Sequence, residues 1–157
     1  MAQNAYEYSL KLLTVRAYTV RNLSRKLSQR GFATDEIHEA IARLVSAGLV
    51  DDSRYASEYA RQKLMFGGAA ARRVRQGLIS RGISDDVANS AIETILAEEM
   101  IDMKQSADAA AQKKLASMGD LDHHTKRRRL FAFLARRGFE VSDIRRAVDE
   151  TIPVDES

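Results

Sequence analysis

Few residues in this 157-residue chain could do chemistry, and their spacing does not assemble a catalytic group. There is no cysteine, so thiolate nucleophiles, thiolate metal sites and disulfides are excluded. The histidines are His38, His123 and His124. The last two are adjacent, which turns them to different sides of any helix, and no nearby carboxylates complete a ligand set. Surface or capping roles are expected for them. No Gly-x-x-x-x-Gly-Lys-Ser/Thr loop is present to cradle nucleotide phosphates. Asp51 and Asp52 form a carboxylate pair, but they follow Gly48 at a helix start, where capping is the expected use. The chain is expected to be no enzyme, with no catalytic residue, no metal and no cofactor.

The cations carry more information. Arg16, Arg21, Arg25, Lys26 and Arg30 fall together with no acid among them. So do Arg72, Arg73, Arg75 and Arg81, and again Lys126, Arg127, Arg128, Arg129, Arg136 and Arg137. Fifteen of the 25 Lys and Arg lie in these segments, although the net charge is only +3. Acids follow each one, as Asp35, Glu36 and Glu39, then Asp85, Asp86 and Glu93, then Glu140, Asp143 and Asp149. A basic stripe repeated in this way could track phosphates or an acidic protein groove. Pairing with the acids of the same unit is the competing use. The four adjacent cations Lys126 to Arg129 are where internal partners are expected to run out. Few aromatics are interleaved with the cations, and Phe131 is expected in the core, so base stacking on single strands is not indicated.

The elements that must position these cations are marked by a recurring phrase, Leu-x-x-Arg-Gly-apolar. It occurs as Leu27 to Phe32, Leu78 to Ile83 and Leu134 to Phe139, with Gly31, Gly82 and Gly138 spaced 51 and 56 residues apart. That spacing suits a repeat of two or three helices. With 45% hydrophobic residues, five Phe, five Tyr and no Trp, the core must come mainly from Leu, Ile, Val and Ala. The chain therefore reads as all-α, with tandem three-helix repeats forming three units in an elongated, curved array. The expected boundaries are 1–50, 51–98 and 99–157, the last unit ending in a frayed acidic tail at Asp155 to Ser157.

In unit one, Tyr6, Leu10, Leu13 and Ala17 give one face of a first helix. Thr19 caps a second, which carries Leu23 and Leu27 and stops at Gly31, where Phe32 can fold back. The Thr34 hydroxyl is expected to cap a third, with Ile37, Ile41, Leu44 and Val45 inward. In unit two, Tyr55, Ala56, Tyr59 and Ala60 lie on the first helix and Val74 and Leu78 on the second. Gly77 within that helix should cost about 1 kcal/mol unless a close packing contact requires it. Ser84 caps the third helix, with Val87, Ala91, Ile92 and Ile95 inward. In unit three, Met103, Ala107, Ala110, Ala111 and Leu115 line the first helix, and Leu130 and Leu134 the second. Ser142 and Asp143 open the last, with Ile144 and Val148 inward. No apolar run approaches the roughly 20 residues of a membrane span, and the N-terminus lacks a signal-peptide pattern, so a cytoplasmic protein is expected.

Gly48 to Ala56, which contains Asp51, Asp52, Arg54, Tyr55 and Ala56, together with Tyr59, Arg61 and Lys63, resembles the signature of the RecX family of bacterial recombination regulators. The segments Leu23 to Gly31, Val74 to Ile83 and Lys126 to Phe139 resemble that family's first, middle and third basic helices. The resemblance implies a monomer of tandem three-helix repeats that binds the RecA filament, mostly inhibiting its ATP hydrolysis and strand exchange. It also implies weak, sequence-independent DNA contact and roles in homologous recombination, DNA repair and the SOS response. On this reading Arg21, Arg25, Lys26, Arg30, Arg72, Arg73, Arg75, Lys126, Arg127, Arg128, Arg129 and Arg136 meet filament or DNA, and the signature residues are mainly structural. The alternative is a helical nucleic-acid-binding protein acting without RecA. Two features depart from the family pattern. Thr19 to Leu23 lacks the Glu of the usual Ser-x-x-Glu-Leu box, and Gly67-Gly68 is atypical before Arg72.

Overall fold

Apolar residues recur at helical spacing along the whole chain, and the computed structural model, which describes residues 2–155, turns them into nine helices with no strand among the described residues. Unit one holds α1 (Ala5–Val15), α2 (Val20–Arg30) and α3 (Thr34–Ser46). Unit two holds α4 (Asp52–Met65), α5 (Ala71–Ser80) and α6 (Asp85–Glu98). Unit three holds α7 (Met103–Ala116), α8 (His123–Arg137) and α9 (Val141–Thr151). Each helix packs chiefly on the other two of its own unit. The fold is all-α, three tandem three-helix repeats.

Three separate cores follow from that packing. Leu23, Leu27, Ile37, Ile41 and Leu44 build the first, Val74, Leu78, Ile92 and Ile95 the second, and Leu130, Leu134, Ile144 and Val148 the third. Two residues cross the divisions. Ala70, the N-cap of α5, is buried in the core of unit three, and Met103 packs on the second and third cores together. The surface amounts to 9892 Å², against about 7,900 Å² for a compact globule of this size. The excess is what an elongated array exposes.

Punctuation follows the sequence with instructive exceptions. Thr19, Asp51, Ser84 and Asp122 accept backbone N–H groups as N-caps of α2, α4, α6 and α8. Each recurring phrase closes its helix in the same way. The N–H of Phe32, Ile83 or Phe139 donates to the carbonyl of Leu27, Leu78 or Leu134, and the intervening glycine takes φ of 99°, 87° or 90°. Gly77 has a packing reason, because a Cβ there would strike the Tyr59 hydroxyl.

Several expectations are corrected. α1 stops at Val15, leaving Ala17 exposed, and its buried residues are Ala5 and Ser9. The Ser9 hydroxyl donates to the Ala5 carbonyl at 2.7 Å. Ala33 is the N-cap of α3, so Thr34 lies inside the helix and caps nothing, while Asp35 and Glu36 still face the positive end of the helix dipole. α9 begins at Val141 with Glu140 as N-cap, ahead of Ser142. Val45 and Phe131 are 47% and 38% exposed. Each stands one residue, about 100° of helix, beyond the buried Leu44 or Leu130. Of the acidic tail, Glu156 and Ser157 lie outside the described residues.

Candidate functional site

The second helices α2, α5 and α8 carry the basic segments, and each sinks one leucine-rich stripe into its unit. Leu23 and Leu27, Val74 and Leu78, and Leu130 and Leu134 are all essentially inaccessible. The cations must therefore lie off that stripe. Arg25, Lys26 and Arg30 on α2, Arg72 and Arg73 on α5, and Arg128, Arg129 and Arg136 on α8 are exposed, while Lys126, Arg127 and Arg75 are half-buried.

The phrase that ends each second helix also holds the units together. At the end of α5, the Arg81 carbonyl accepts the Thr19 hydroxyl at 2.6 Å, and the Ser80 carbonyl accepts Arg21 Nη2 at 2.8 Å. At the end of α8, the Arg137 carbonyl accepts the Ala70 N–H at 2.7 Å, and the Arg136 carbonyl accepts Arg73 Nη1 at 3.0 Å. The C-terminus of α8 thus meets the N-terminus of α5, and the C-terminus of α5 meets the N-terminus of α2. Opposite ends of helix dipoles face each other at both joints, which is attractive. Asp52 reinforces the first joint by accepting the Val20 N–H at 3.0 Å.

These contacts sort the cations named from sequence. Arg21 and Arg73 serve the joints. Arg75 pairs with Asp85 at 2.6 Å. Arg127 pairs with Asp149 and donates to the Ile152 carbonyl, tying α9 to α8, so one of the four adjacent cations does find internal partners. Arg30 sits 5.3 Å from the Tyr8 ring. Arg25, Lys26, Arg72, Lys126, Arg128, Arg129 and Arg136 form no ion pair with a described residue.

The residues of the Asp51 to Tyr59 stretch make local contacts. Asp51 caps α4 through the Arg54 N–H at 3.0 Å, Arg54 Nη2 donates to the Gly48 carbonyl at 2.9 Å, and Ala56 is fully buried. Tyr55 and Tyr59 stack with centroids 6.3 Å apart, and Arg81 lies 4.7 Å over Tyr59. His123 Nε2 lies 2.7 Å from the Pro153 carbonyl. Among the described residues no three His, Asp or Glu side chains gather to hold a metal ion, and no helix is long and apolar enough to cross a membrane.

Sequence reasoning missed one cation cluster. Lys113 and Lys114 of α7 and Arg137 of α8 converge on a cleft of about 340 Å³ between units two and three. The Gly67-Gly68 loop explains part of this, because Arg137 Nη1 donates to the Gly68 carbonyl at 3.0 Å. The recurring Arg of the phrase was the available signal.

Comparison with known proteins agrees with this division into units. Models of the RecX first, second and third three-helix domains match residues 5–44, 51–92 and 102–148. The chain is 34% identical over 142 residues to the regulatory protein RecX of a Mycobacterium species (strain JLS), covering 89% of this chain and 77% of that protein. It is 35% identical over 141 residues to that of Chromohalobacter salexigens, covering 89% and 88%. The crystal structure of RecX from Lactobacillus salivarius superposes with a TM-score of 0.76 at 21% identity, covering 96% of each chain, and shows the same fold.

Proposed function

Because the chain belongs to the RecX family, we propose that it is a regulator without catalytic activity that binds the RecA filament on DNA and mostly inhibits its ATPase and strand exchange. Its place is then the cytoplasm, as a monomer, in homologous recombination and the DNA-damage response. The observation that carries the reading is the end-to-end joining of α2, α5 and α8, which strings cations that pair with no described acid along an array. Such a surface can touch neighbouring filament protomers and nearby phosphates together, obstructing an incoming duplex and the protomer interfaces. The contacts are assigned to Arg25, Lys26, Arg30, Arg72, Lys126, Arg128, Arg129 and Arg136, with Arg21, Arg73, Arg75 and Arg127 holding the array in shape.

The test is RecA ATPase on single-stranded DNA, with the protein added to saturation. A fall in hydrolysis is expected, and unchanged hydrolysis would overturn the reading. Binding to RecA-coated DNA should exceed binding to naked DNA; equal affinity would favour a nucleic-acid-binding protein that acts without RecA. An Arg128→Glu/Arg129→Glu variant should weaken filament binding by about tenfold or more while keeping its helical content, because neither residue holds the fold.

A further inference from the structure

We propose that the cleft between units two and three is a docking site for an acidic protein segment that inserts one bulky apolar side chain. The cleft is about 340 Å³ and is lined by the apolar Met103, Phe133 and Phe139 and by Lys113, Lys114 and Arg137. That volume is at the small end of ligand pockets and suits a single large side chain. No acid lines it. Lys113, Lys114 and Arg137 form no ion pair with any described residue. Among the described residues the Arg137 guanidinium donates to the Gly67 and Gly68 carbonyls and lies over the Phe133 ring. Three cations with no ion-pair partner among the described residues, beside apolar lining, are complementary to carboxylates flanking an apolar anchor. Met65 and Phe66, which follow the lining residue Leu64 in the chain, are 42% and 80% exposed.

A nucleic acid fits the same cations less well. Lys114 and Arg137 already lie over the Phe133 ring, at 5.2 and 4.9 Å from its centroid, so a base would have to displace a cation to stack there.

The site is separate from the exposed cations of α2, α5 and α8, and its test uses no RecA, so either reading can fail alone. The probe is a fluorescein-labelled peptide with one Phe flanked on both sides by glutamates, followed by anisotropy with the full chain. Controls are the Phe-to-Ser peptide and an oligo-dT of similar charge. The Phe peptide should bind about tenfold or more tighter than the Ser peptide and shift the methyl resonance of Met103 but not of the exposed Met100. Lys113→Glu/Lys114→Glu, or Ser106→Glu on the same wall, should weaken it by about tenfold or more at unchanged helical content. Equal binding of the Ser peptide, displacement from Met103 by oligo-dT, or no binding at millimolar peptide would each overturn the proposal.

Discussion

The joint between units one and two and the joint between units two and three meet one requirement with different atoms. In both, the carbonyl just before the helix-ending glycine must find a donor from the N-terminus of the preceding unit's second helix. Thr19 supplies a side-chain hydroxyl to Arg81, whereas Ala70 supplies its backbone N–H to Arg137. In both, the carbonyl one residue earlier takes an arginine, Arg21 in one and Arg73 in the other. What repeats is a place on the backbone, and residue types vary around it. The first joint therefore depends on a side chain that substitution can delete and the second on main chain, and both depend on close approach at glycine.

The largest expected effects test that close approach. A Cβ on Gly138 would lie 2.6 Å from the backbone nitrogen of Arg73, and one on Gly82 would lie 2.5 Å from Arg21 Cβ, whereas one on Gly31 would meet nothing within 4 Å. All three have positive φ, so alanine costs about 1–2 kcal/mol at each from conformation alone. Overpacking adds about 1–3 kcal/mol where neighbours cannot retreat. Gly138→Ala should therefore destabilise most, by about 2–5 kcal/mol. Gly82→Ala should follow, because its contacts are to side-chain atoms of Arg21, of which Cδ and Nε can swing aside although Cβ cannot, and Gly31→Ala should cost only the conformational part. Urea unfolding of the three variants measures the series, and equal losses would break the distinction between joint and free end.

The same glycines show how far the sequence could be read. Leu-x-x-Arg-Gly marked the helix ends because glycine is the residue that tolerates the left-handed conformation closing a helix. It could not show that Gly82 and Gly138 also seat another unit while Gly31 does not, since all three look alike in one dimension. The buried leucines were legible from helical spacing, but Phe131 and Val45 were misplaced because they adjoin the buried stripe without lying on it. Thr19 was legible as a cap; its second bond, to Arg81, spans 62 residues and has no local signature. For the same reason, sequence charge alone could not separate Arg21, Arg73 and Arg127, which hold structure, from Arg128 and Arg129, which pair with nothing described.

A medium effect tests the hydroxyl. Thr19→Val keeps the shape of this buried side chain but leaves the part-buried Arg81 carbonyl and Asn22 N–H without their partner, which should cost about 1–3 kcal/mol. Thr19→Ser keeps both bonds and should cost less. Ala70→Pro removes the corresponding donor of the second joint and should match Thr19→Val, even though Ala70 has no polar side chain to lose. A loss confined to Thr19→Val would mean that the backbone bond of the second joint contributes nothing, and that the two joints differ in kind.

The smallest effect is expected where a second helix has no joint at its N-terminus. α8 begins with its own cap, Asp122, whose carboxylate accepts the Thr125 N–H at 2.9 Å and the Thr125 hydroxyl at 2.6 Å. Those bonds, the hydroxyl's first, hold its pKa below the ordinary carboxylate range. A depressed pKa stabilises the fold above the unfolded value, and that contribution is lost as pH falls through the lower folded value. Asp122→Ala should destabilise less than Thr19→Val at neutral pH, since the exposed cap can be replaced by water. Asp122→Asn retains an oxygen for the Thr125 N–H but cannot titrate. Below about pH 4 the parent protein should therefore lose stability more steeply than Asp122→Asn, as thermal melts at a series of acidic pH values would record. Parallel acid limbs for the two proteins would show that the α8 N-terminus does not respond to the charge of its cap, and that head-to-tail dipoles matter only where two helices meet.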